Sequence, residues 1–103
     1  MPNRNYQAGT RFERKLKRQF EVAGWVVLRT AGSHGFADLI LVDETHASMP
    51  VSFIQCKVLQ TRKAAERLIK EFRAKPPIRK HDHYLMCLAI QIKEERTMEL
   101  TWL

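Results

Sequence analysis

Apolar side chains at Phe12, Leu16, Phe20 and Ala23 recur every three or four positions within residues 6–23, the spacing of one buried helix face. Arg11, Arg14, Lys15, Lys17 and Arg18 occupy the remaining surface of that segment, and Gly24 is suited to the turn that ends a helix. The period then shortens. WVVLRTA (25–31) is dense in β-branched and aromatic residues and predicts a strand. ADLILVD (37–43) predicts a second strand and VSFIQCKVL (51–59) a third, joined through GSHGF (32–36) and ETHASMP (44–50). The third run is apolar on both faces, which predicts a central position in a sheet. Helical spacing returns in TRKAAERLIKEFRAK (61–75), where Ala65, Leu68, Ile69 and Phe72 form the stripe and Pro76 with Pro77 stops the helix. HYLMCLAIQI (83–92) and TMELTWL (97–103) are the last two predicted strands. The order α-β-β-β-α-β-β implies an α/β protein with a mixed five-stranded sheet flanked by helices.

Two polar residues break the third strand. Gln55 and Lys57 stand two apart, so they share one face of it, and a lysine withdrawn from water needs a partner or a purpose. Composition narrows the purpose. With 103 residues and 45% apolar content, the chain has room for one domain, residues 1–103, around one core. Its 18 Lys and Arg against 11 Asp and Glu leave a net charge of +7, which favours a polyanionic partner. No apolar run approaches the roughly 20 residues that span a bilayer. The opening MPNRNYQAGTRFERK also lacks the apolar stretch of a secretory signal. A cytoplasmic protein that binds nucleic acid, with no membrane partner and no small-molecule cofactor, is the expectation. Cys56 and Cys87 fall in predicted strands without CxxC spacing and read as buried, reduced thiols.

Asp38 opens the second predicted strand directly after a glycine-bearing loop. A hairpin of the second and third strands would bring it near Gln55 or Lys57. An acid on one strand, followed by a side-chain oxygen, one spacer and a lysine on the next, is the layout of the PD-(D/E)xK nucleases. The chemistry explains the residue types. Oxygen ligands suit Mg²⁺, and an ammonium group positions a water and stabilises developing negative charge.

The surrounding residues sharpen this pattern. RTAGSHGFADLILVD, preceded by a helix carrying FERKL and followed by FIQCKV, resembles the archaeal Holliday-junction resolvases and their viral relatives. That family has a Glu in its first helix, an Arg-x-x-Gly-Ser loop, an Asp starting a strand and Glu-x-Lys on the next. The corresponding residues here are Glu13, Arg29 with Gly32 and Ser33, Asp38, and Gln55 with Lys57. Gln55 departs from the usual Glu and removes one negative charge. The resemblance implies a restriction-endonuclease-like fold and a Mg²⁺ site, which Mn²⁺ would also fill. Its ligands would be Glu13, Asp38, Gln55 and the backbone carbonyl of Cys56, with Lys57 catalytic and Ser33 touching a phosphate near the scissile bond. It also implies four-way junction DNA as substrate and a homodimer that makes paired cuts. The short chain and the missing Glu suggest a viral or phage source.

Each residue also has a plainer reading. Thr10-x-x-Glu13 matches a capping box for a helix beginning after Thr10, although Glu13 also borders the inward face beside Leu16 and Phe20. Asp38 suits a turn, Lys57 a snorkelling role, Gln55 a satisfied core amide and Ser33 a loop cap. Arg62 and Lys63 lie in the first turn of the second helix, where cations oppose the helix dipole unless a phosphate binds there. With Arg4, Arg11, Arg14, Arg29 and His34 they form the expected DNA-contacting set; His46, His81 and His83 show no ligand pattern. Three other readings stay open: a nuclease for flaps, nicks or duplexes, a non-catalytic junction binder, and an RNA-binding module.

Overall fold

A computed structural model describes residues 4–30, 37–43, 51–76 and 84–103, with side chains from Gln7 onward. The elements are α1 (Arg4–Val22), β1 (Val26–Arg29), β2 (Leu39–Val42), β3 (Val51–Leu59), α2 (Arg62–Ala74), β4 (Tyr84–Ile92) and β5 (Thr97–Trp102). The order expected from the periodicity is observed, with β1 and β2 each four residues long rather than seven.

α1 begins at Arg4, so Thr10 lies inside the helix and cannot be its cap. The capping-box reading of Glu13 is therefore excluded. The other end follows the glycine signal. Gly24 takes φ 101°, its N–H bonds to the Glu21 carbonyl, and Trp25 N–H bonds to that of Phe20. This pairing is the Schellman arrangement. Its accompanying apolar contact is the edge-on packing of Phe20 and Trp25, with ring centroids 6.2 Å apart.

The five strands lie in the order β1-β2-β3-β4-β5. All neighbours are antiparallel except β3 and β4. A parallel pair needs a crossover, and α2 supplies it. Thr61 caps that helix by accepting the Ala64 N–H through its side chain. Alternation along β4 separates two cores. Cys87 and Ala89 join Phe12 and Leu16 of α1, together with Val27, Leu39, Leu41 and Ile54. Leu88, Ile90 and Ile92 join Ala65 of α2. The sheet is thus a layer between one helix on each face, and β3 is its central strand. This is the restriction-endonuclease-like α/β arrangement. Among the described residues, no helix is long and apolar enough to cross a membrane.

Candidate active site

The site begins where β2 stops. Leu39 pairs with Ile54, and β3 runs on alone on that side to Leu59. Backbone groups left exposed by such a mismatch need partners, and Asp38 provides them. Its N–H donates to the Ile54 carbonyl at 2.8 Å, and its Oδ2 accepts the Cys56 N–H at 2.8 Å. One further step of the register sets Asp38 beside Gln55. The N–H and C=O of a strand residue point to the same neighbour, so the Cys56 carbonyl opens toward Asp38 as well.

Glu13 reaches this gap from α1. Its side chain is 16% exposed and lies 3.7 Å from the Arg29 guanidinium at the end of β1. Burial raises the Glu13 pKa above the ordinary carboxylate range, the Asp38 charge raises it further, and Arg29 offsets only part of this. The Cys56 thiol is pushed up too, first by burial and then by the Asp38 and Glu13 charges. Two carboxylates are thus held close together in a poorly hydrated corner.

Gln55 and Lys57 share a face of β3, both half-buried. Cys56 and Val58 pack into the α1 core and Leu59 into the α2 core, so Gln55 and Lys57 alternate onto the α2 side. The Gln55 Oε1 is buried without a hydrogen-bond partner among the described residues. A satisfied core amide would have one, and among the described residues Gln55 does not show it. No group of three Asp, Glu, His or Cys side chains placed to hold a metal ion occurs among the described residues. The oxygen donors at the gap are the Glu13 and Asp38 carboxylates and the Cys56 carbonyl, groups that suit a hard divalent cation, and the Gln55 amide belongs to the neighbouring β3 residue on the α2 side.

The expected DNA contacts separate. Arg29 is the counter-ion of Glu13. Arg62 is already engaged: its Nε and Nη2 donate to Glu95 at 2.9 and 2.6 Å, and Nη1 pairs with Glu99. These acids lie beyond β4, in the KEER turn and on β5, and nothing in the local pattern of α2 announces them. Lys63 and Arg14 are exposed. Arg11 lies on the flank of α1 away from Glu13, against Gln91 and Lys93. Ser33, His34 and the side chain of Arg4 lie outside the described residues, as do His46, His81 and His83.

The family model described as archaeal Holliday junction resolvase (Hjc) matches residues 4–65. A search of curated proteins found no significant match. The matched span is more than half of the chain, and it runs from the start of α1 into α2. Glu13, Asp38, Gln55 and Lys57 therefore all fall within it, and the chain belongs to the archaeal Holliday junction resolvase family.

Proposed function

We propose that this chain is a structure-selective endodeoxyribonuclease of the cytoplasm that resolves four-way DNA junctions, using Mg²⁺ and cutting paired strands as a homodimer. The observation that carries the reading is the Glu13 carboxylate held near the Asp38 charge in a buried corner, next to β3, where the Gln55 Oε1 is buried without a partner among the described residues. Such a group of oxygens is unfavourable by itself and favourable around a cation. Glu13, Asp38, Gln55 and the Cys56 carbonyl would hold Mg²⁺, with Mn²⁺ as an alternative. When bound, the cation supplies positive charge to the phosphoryl oxygens and acidifies a water.

The remaining work belongs to the protein. Asp38 is fixed by its bond from Cys56 N–H, so its second oxygen keeps one orientation. Arg29 holds Glu13 in place and offsets part of its charge. Lys57 projects from the same strand face as Gln55, where its ammonium would orient the attacking water and stabilise charge on the phosphorane. Selection of a branch point would come from DNA shape, since the described site offers phosphate-binding groups rather than base-reading ones.

One observation favours a second reading, a junction-binding protein without cleavage: glutamine stands where the family has glutamate. A four-way junction assay with Mg²⁺ or Mn²⁺ separates the two. Paired symmetric nicks from the wild type are expected. Asp38→Asn should lower the rate at least about 100-fold, the scale of losing one electrostatic stabiliser. Its amide oxygen still accepts from Cys56, so the fold should survive. Binding without cleavage by the wild type, with nicks appearing only in Gln55→Glu, would establish the second reading.

A further inference from the structure

The flank of α1 opposite Glu13 carries a second feature. Gln7, Ala8, Arg11, Phe12 and Lys15 of the helix face Gln91 at the end of β4 and Lys93 in the following turn across a groove of about 490 Å³. Phe12 is its buried floor, and Arg11, Lys15 and Lys93 stand exposed along its walls. None of the three has a carboxylate partner among the described residues. That contrasts with Arg62, Lys17 and Arg29, each of which is paired. Three unpaired cations around a concave floor repel one another, and an anion with repeated charges relieves that repulsion.

We propose that this groove is a phosphate-backbone track for a duplex arm of the DNA, separate from the site of cleavage. The sheet sets its distance from the carboxylates. Asp38 is level with Gln55 on the β2 side while Gln91 pairs with Val58 from β4, two strand spacings across and three residues along, or roughly 14 Å apart. Phosphates along one DNA strand rise about 3.4 Å each, so the track would take backbone about four nucleotides from the scissile phosphate. Gln7 and Gln91 supply neutral hydrogen-bonding groups at its rim. The proposal rests on the nuclease reading for the identity of the polyanion, and on the groove alone for its position.

The test measures binding of a fluorescent linear duplex and of a four-way junction against salt, in Ca²⁺, between about 50 and 200 mM. The Lys15→Gln/Lys93→Gln variant should flatten the log-log salt slope by about 2 on both DNAs, at roughly 0.9 for each phosphate no longer neutralised. Lys15→Arg/Lys93→Arg should restore it. Lys70→Gln/Arg73→Gln on exposed α2 positions removes the same charge elsewhere, and it should change the slope less. Equal slopes for the groove and α2 variants would overturn the track, as would no change in either. A wild type that binds duplex and junction alike and makes no cut when Mg²⁺ or Mn²⁺ replaces Ca²⁺, but loses slope in the groove variant, keeps the track and overturns the resolvase reading. No binding of either DNA by the wild type overturns both.

Discussion

At the residue scale, Gln55 and Glu13 set opposite terms of the same balance. Gln55 keeps the site at two carboxylates, so a third at Gln55→Glu adds repulsion in the absence of metal and attraction in its presence. Expected in a thermal melt is a lower Tm for Gln55→Glu in EDTA, and a larger rise on adding Mn²⁺ than the wild type shows. Each tenfold gain in affinity adds about 1.4 kcal/mol once metal is in excess. A smaller metal-induced rise than in the wild type would remove Gln55 from the ligand set. Glu13 carries a pH dependence with a definite sign. Burial and the Asp38 charge raise its pKa in the fold, so the folded chain holds that proton more tightly than the unfolded one. Stability of the metal-free protein therefore falls as pH rises from the ordinary carboxylate range through the raised value. Melts of wild type and Glu13→Gln across that window should diverge in favour of Glu13→Gln as pH increases. A difference that stays flat would mean that Glu13 is hydrated and not in the gap. Asp38 and Lys57 were readable in the sequence because strand alternation and the position of one loop decide where they point. The bond from Cys56 N–H to Asp38 was not readable, since it depends on β2 stopping at Leu39 while β3 continues.

At the scale of elements, the helix ends can be tested with two glycines of opposite expectation. Gly24 sits at φ 101° with open space around a would-be Cβ, so Gly24→Ala costs backbone strain alone, about 1–2 kcal/mol. Gly9 is inside α1 with nothing within 4 Å of its Cβ position. Gly9→Ala should add the helix propensity that glycine lacks, close to 1 kcal/mol. Thermal melts should move down for the first and up for the second, by about 4–8 °C per kcal/mol in a domain of this size. A Gly24→Ala protein as stable as the wild type would rule out the left-handed turn. The same two signals show why element order was legible. Apolar spacing and a glycine stop identify α1, and two prolines stop α2. α1 starts at Arg4, two residues before the expected Tyr6, because Arg4–Gly9 carries little apolar periodicity to mark a beginning. β2 is shorter than expected because its ladder with β3 gives way at Asp38, whose side chain takes the Cys56 N–H, a fact of tertiary pairing that no local propensity encodes.

At the scale of the molecule, the proposed resolvase would bring one gap with one set of oxygens per chain to a substrate that needs two cuts. A four-way junction has approximate two-fold symmetry, and a C2 pair of identical chains would place one site on each opposing strand. The surface leaves apolar area for such pairing. Met98, Leu100 and Trp102 alternate onto one face of the edge strand β5, with Trp102 45% exposed, so Trp102 does not complete the core of its own chain. The sequence suggested a dimer through the symmetry of the substrate rather than through any local pattern. Pairing can be tested through function. Wild-type protein acting on a cruciform plasmid should release linear molecules, because both strands are cut within one complex. Mixing it with a tenfold excess of Asp38→Asn would put most wild-type chains into pairs with one competent site. The product should then shift to nicked circles. A mixture that still yields linear plasmid in the wild-type proportion would mean that each chain cuts alone.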